Sequence, residues 1–221
     1  MNVTSRNPAV WILSAGILGF TTAGVFSGLL HWSRAGFILV YLLVVLSLGV
    51  GYTRIAGLSW RAQFQRRWRP SLVGGVILSV LLAQSVLAQP GSERPRGLEL
   101  VLSLGWYGVV YGAVDSLLLN IVPVLEVYRT RPAEELHDGV HRFRVGVAAL
   151  LASLFVTAMY HLGFVEYRGA SLLQPLLGNG IITAGYLLTG SPVTPLLGHI
   201  VMHLVAVLHG METTTQLPPH Y

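Results

Sequence analysis

Apolar runs about twenty residues long alternate with short polar stretches along the whole chain. They fall at about 9–30, 36–53, 71–89, 98–125, 145–165, 170–190 and 193–210, each near the roughly 20 residues that a bilayer core requires. The pattern predicts an all-α, polytopic membrane helix bundle of about seven transmembrane helices, with residues 1–221 forming a single integral membrane domain. The first run follows Arg6 as a signal peptide would, but no small-residue cleavage site succeeds it, so it counts as a span. Residues 91–97 (Gly-Ser-Glu-Arg-Pro-Arg-Gly) have turn composition, and Ser191-Pro192-Val193-Thr194-Pro195 divides the last apolar stretch in two.

Composition agrees. The chain is 53% hydrophobic and 10% charged, with a mean hydropathy of +0.64, whereas a soluble domain carries about 25% charged residues. Its net charge of +5 does not point to nucleic acid, because the arginines cluster in loops between apolar spans. Placing the 54–70 loop inside puts ten of the 14 arginines inside: Arg6, Arg54, Arg61, Arg66, Arg67, Arg69, Arg129, Arg131, Arg142 and Arg144. Arg34, Arg94, Arg96 and Arg168 are left outside. The N-terminus is then inside and, with seven spans, the C-terminus outside. The setting this suggests is a bacterial cytoplasmic membrane. The absence of cysteine excludes disulfides and thiolate chemistry.

Trp60, Phe64 and Trp68 recur every four residues in the 54–70 loop, with Arg61, Arg66, Arg67 and Arg69 mostly off that stripe. An interfacial amphipathic helix there would set its rings at the acyl boundary and its guanidinium groups on anionic lipid. Anchoring and orientation is the plainer role for it, and substrate or partner docking the other.

Four ionisable side chains stand inside or near the ends of apolar runs: Asp115, His161, His199 and His203. Such groups are costly at bilayer depth and usually face a protein interior or a wet cavity. His199 and His203 are four apart and share a helix face. They suit chelation of one metal ion, or activation of water by one ring while the other stabilises charge. Asp115 suits a general base, a proton relay, a metal ligand or a structural hydrogen bond. Asn120, five residues on, is not on its face of a regular helix. His161 fits a site or the membrane interface, and His209 the interface. Glu134, His137 and His141 would share a face of a helix starting at Pro132 and could bind metal, although a solvated surface helix explains them as well.

The run Gly190-Ser191-Pro192-Val193-Thr194-Pro195-Leu196-Leu197-Gly198-His199, followed by His203, resembles the third motif of the CAAX-processing and bacteriocin-processing (CPBP) intramembrane proteases. That motif is a Gly-Ser turn and then His-x-x-x-Asn at a helix start. His161 with Leu162-Gly163 is similar to the second, Phe-x-x-x-His. Asp115-Ser116-Leu117-Leu118-Leu119-Asn120 occupies the place of the first, Glu-Glu-x-x-x-Arg. Thr157 stands for the Phe, His203 for the Asn, and Asn120 for the Arg. The CPBP-like region covers about residues 105–210.

The resemblance implies a peptidase that hydrolyses a membrane-associated peptide or protein substrate at or within the bilayer. Asp115 and His199 would activate water, directly or through Zn²⁺, while His161 and His203 stabilise the oxyanion. Asp115, His161, His199 and His203 together would also serve as the zinc ligands. His161 lies near the outer edge and His199 nearer the inner one, so their convergence needs tilted or shortened helices. The competing expectations are a catalytically inactive CPBP-like scaffold or immunity-type protein, a b-haem carrier ligated by His161 and a histidine of the last span, and a transporter using the Gly178-Asn179-Gly180 interruption.

Overall fold

Each apolar run becomes helical in the computed structural model, which describes residues 7–131, 138–212 and 215–219; among these there is no strand. Helix α1 (Pro8–Leu29) starts at Asn7, whose side chain accepts from the Ala9 amide at 3.0 Å. Proline at the first helical position loses no bond there. Helix α2 (Arg34–Ala56) is capped by Ser33 and stopped by Gly57 in the left-handed region, φ 63°. A short α3 (Trp60–Gln65) leads to α4 (Trp68–Leu87). The long α5 (Gly97–Arg129) follows, then α6 (Gly139–Leu162), α7 (Leu173–Thr189) and α8 (Val193–His209).

Five of these helices, α1, α2, α4, α5 and α6, are long and apolar enough to cross a membrane. Both α7 and α8 have 17 residues, about 25 Å of helix. Large apolar side chains such as Leu43, Ile77 and Leu151 lie exposed on the outer faces of the long helices, where lipid rather than water suits them.

No single helix forms over residues 54–70. Residues 54–56 finish α2, Trp60 and Phe64 lie on α3, and Trp68 opens α4 after Arg67 turns the chain at φ 49°. The three rings therefore do not make one stripe. Trp60 instead donates its indole N–H to Thr53 Oγ1 at 2.7 Å, tying α3 back to α2.

Helix α5 is the axis of the bundle. Its most apolar window is 78% buried, against 28–39% in the other four long helices. Small residues let α8 come against it: a β-carbon at Gly112 would stand 2.8 Å from Ile200 Cα, and one at Gly108 would meet the Leu204 side chain. Without a hydrophobic force between helices in lipid, close backbone approach of this kind holds them together. Glu126, also buried in α5 but beyond the 98–125 run, is gripped by Arg129 through Nε at 3.0 Å and Nη2 at 2.8 Å.

Candidate functional site

Asp115 ends a short α-helical turn (Tyr111–Asp115) between two π-helical stretches of α5, Leu104–Val110 and Ser116–Ile121. The wider winding changes which residues share a face. Asn120, excluded from the Asp115 side by the geometry of a regular helix, is brought into the same polar interior. Pro123 contributes: it lacks the amide that would bond the Leu119 carbonyl in a regular helix. Ser153 of α6 donates its hydroxyl to that carbonyl at 2.5 Å.

Helix α8 presents His199 and His203 as stacked rings with centroids 5.9 Å apart. Asp115, His199 and His203 are all buried, and one ligand atom from each lies within 4.8 Å of the others. His203 Nε2 stands 3.2 Å from Asp115 Oδ2, yet off the line that a hydrogen bond requires. Asp115 Oδ1, His199 Nδ1 and both ring nitrogens of His203 have no hydrogen-bond partner among the described residues. Buried polar atoms are nearly always satisfied. These four orphans, on three clustered side chains of two helices, make a group that could hold a metal ion.

His199 is set by a directional network. The Leu119, Ser153 and Asn179 carbonyls can only accept, and they take the hydroxyl protons of Ser153 (2.5 Å), Thr157 (2.9 Å) and Thr183 (2.8 Å). Asn179 Nδ2 then donates to Ser153 Oγ at 3.0 Å and Thr157 Oγ1 at 2.6 Å, and Asn120 Nδ2 donates to Asn179 Oδ1 and Thr183 Oγ1, both at 2.8 Å. The remaining Asn120 oxygen must accept, so His199 carries its proton on Nε2 and donates it at 2.8 Å. Its Nδ1 is left as a bare lone pair, available to a metal or to a proton.

His161 ends α6 and lines the same cavity, of about 400 Å³, as Asp115, His199 and His203. It lies outside the three-residue cluster that could hold an ion. Its Nδ1–H donates to the Thr157 carbonyl at 2.8 Å. The neutral ring therefore offers the cavity an acceptor, and would donate to an oxyanion only as imidazolium. His161 and His199 thus line one cavity without joining one cluster. Two further residues of the cavity wall, Tyr111 and Tyr160, escaped the sequence reading. Their hydroxyls are 2.9 Å apart, so one proton joins them and the other is left to donate. The Tyr111 ring also lies 4.7 Å from that of His203.

His209, Asp138 and His141 have partners away from this cluster. His209 donates from Nε2 to the Gln89 carbonyl at 2.8 Å. Asp138 caps α6, accepting from the His141 amide at 3.2 Å and lying 2.7 Å from its Nδ1. Those hydrogen bonds to His141 hold the Asp138 carboxyl below its ordinary range. Glu134 and His137 lie outside the described residues. Two sequence signals pointed to the network and the close helix contact: Pro123 inside an apolar run, and Gly108 and Gly112 four residues apart. No family model, curated protein or solved structure matches this chain.

Proposed function

We propose that this chain is a membrane-embedded peptidase of the CPBP type, hydrolysing a peptide bond of a membrane-associated substrate at bilayer depth. The observation that carries the reading is the bare Nδ1 of His199, left so by the Asn120 contact at Nε2, on a ring that clusters with the buried Asp115 and His203. His199 Nδ1 takes a proton from water as the water oxygen adds to the scissile carbonyl carbon. Asp115 stabilises the resulting imidazolium. The proton then passes to the amide nitrogen as the C–N bond breaks. The spare hydroxyl proton of the Tyr111 and Tyr160 pair supplies a donor for the oxyanion in a dry site, where such donors contribute most.

Zinc fits the same residues. Zn²⁺ bonds of about 2.0–2.1 Å give a tetrahedral edge of about 3.3 Å, close to the 3.2 Å between Asp115 Oδ2 and His203 Nε2. Asp115, His199 and His203 would hold the ion and leave a fourth position open, where a bound metal supplies a more acidic water and polarises a carbonyl. His161, on the cavity wall, would act on the substrate side.

In this reading α7 and α8 cross the bilayer as the sixth and seventh spans, short but within the usual range. The N-terminus faces a bacterial cytoplasm, and the arginines near α3 meet anionic lipid. Detergent-purified protein tests the proposal by elemental analysis, absorbance and cleavage of a membrane-anchored peptide. Near one equivalent of zinc and cleavage, both lost in Asp115→Ala and His199→Ala, would support a metallopeptidase. Cleavage without metal would leave the water-activating histidine. A folded protein with neither would be an inactive scaffold, and a Soret band would replace peptidase with haem carrier.

A further inference from the structure

Residues 215–219 (Thr-Gln-Leu-Pro-Pro) form one wall of the cavity that holds Asp115, His199 and His203. Side chains from four places in the bundle hold the segment, several through its main chain. Tyr167 Oη donates to the Thr215 carbonyl at 2.8 Å, and the Thr215 amide donates to Gln89 Oε1 at 3.1 Å. Arg34 Nε, itself buried, donates to the Pro218 carbonyl at 2.8 Å. Gln174 bonds Thr215 Oγ1 at 2.8 Å, and Gln89 Nε2 bonds Gln216 Oε1 at 3.1 Å. Leu217 is 3% exposed and belongs to the main apolar core. Burial pushes the Tyr167 phenol up to about 12, so it remains a donor across the physiological range.

Contacts of this kind read a peptide as a peptide. Hydrogen bonds to main-chain N–H and C=O groups supply affinity whatever the sequence, and one buried side chain supplies selectivity. We propose that the cavity mouth among Arg34, Gln89, Tyr167 and Gln174 is a peptide-binding seat, and that residues 215–219 occupy it in cis. The ligand class is a short peptide stretch with an apolar residue before proline, taking the place of Leu217 and Pro218. The segment must leave before a substrate reaches the buried aspartate and histidines. This rests on the peptidase reading only in naming that peptide as substrate; seat and occupant stand on the contacts themselves.

The chain has no cysteine, so one introduced thiol reports access without background. Met202 lines the cavity and takes no part in the proposed chemistry, which makes Met202→Cys the reporter for a water-soluble maleimide in the intact chain. Leu217→Asp places a carboxylate where a leucine is buried. The loss of that burial should speed labelling by about tenfold or more. A synthetic Thr-Thr-Gln-Leu-Pro-Pro peptide should slow labelling again in that background, and the same peptide with Asp for Leu should not. If Leu217→Asp fails to fold, the milder Leu217→Ala loosens the same segment and leaves every residue of the seat in place. Equal labelling rates with and without a loosened segment would overturn the strap, and a loosened protein indifferent to the peptide would overturn the seat. Protection is read without any cleavage. A protein that binds the peptide but hydrolyses nothing would therefore sink the peptidase reading alone, and one that cleaves peptides with its thiol unprotected would sink this inference alone.

Discussion

Asn120 accepts the Nε2 proton of His199 at 2.8 Å, and that one contact decides which nitrogen of the buried imidazole is reactive. The Asn120 oxygen accepts because its amide nitrogen is fully engaged by Asn179 and Thr183. Those partners are oriented in turn by carbonyls that can only accept. The protonation pattern of the site is thus written several residues away from it, on α6 and α7.

Replacing Asn120 with leucine removes the acceptor of His199 on α8 and the donor to Asn179 Oδ1 and Thr183 Oγ1 on α7. Each buried polar group left unsatisfied costs about 1–3 kcal/mol, so a lower unfolding midpoint in detergent is expected. Affinity for the proposed metal ion should fall with it, because both imidazole tautomers become available. A midpoint within error of the parent would show that the network contributes nothing.

Gly112→Val tests the close approach of α5 and α8. Its β-carbon would fall 2.8 Å from Ile200 Cα and 2.9 Å from Ile200 N, whereas one at Gly105 meets nothing within 4 Å. Overpacking of this kind costs about 1–3 kcal/mol, and the displaced helix carries His199 and His203 away from Asp115. Gly112→Val should lower both thermal midpoint and metal content, while Gly105→Ala should change neither. Equal behaviour of the two variants would remove the contact from the account.

Among the four ionisable residues of the sequence-based site, His161 should matter least for metal. It lines the cavity but stands outside the cluster of Asp115, His199 and His203. Elemental analysis of His161→Ala should give metal near the parent value, against loss in His203→Ala. Equal loss in both would make His161 a fourth ligand.

Asp138 gives a pH signature outside the membrane spans. Its hydrogen bonds with the side chain and amide of His141 depress its folded-state pKa. The stabilisation is therefore fully present above the ordinary carboxylate range and disappears as pH falls through the lowered value. Protection factors for the first-turn amides of α6 should drop over that acidic window, and Asp138→Ala should show the low values at neutral pH already. A flat profile in the parent would mean that the cap does not hold the helix start.

The helical spans were legible because apolar length records directly what a bilayer demands, and Asp115, His199 and His203 because titratable groups in such runs have few places to go. Residues 71–89 and 98–125 became α4 and α5 with boundaries displaced by a few residues, at turns and caps where hydropathy carries no signal. Asn120 was misplaced because a period of 3.6 was applied to a segment wound more widely, although Pro123 marked the disturbance. The stripe of Trp60, Phe64 and Trp68 dissolved for a related reason: Arg67 adopts positive φ without any glycine to announce it. Residues 215–219 were silent, since their place on the cavity wall depends on partners as far away in sequence as Arg34.

Lipid tails are as apolar as leucine, so two greasy helices can slide along one another in a membrane with little change in free energy. The ladder from Leu119 through Ser153 and Asn179 to Asn120 cannot slide, because each rung fits one axial offset only. It works as a depth gauge: α5, α6 and α7 are indexed to one level of the bilayer, and the ring of His199 on α8 is held at that level by a residue that need never touch a ligand.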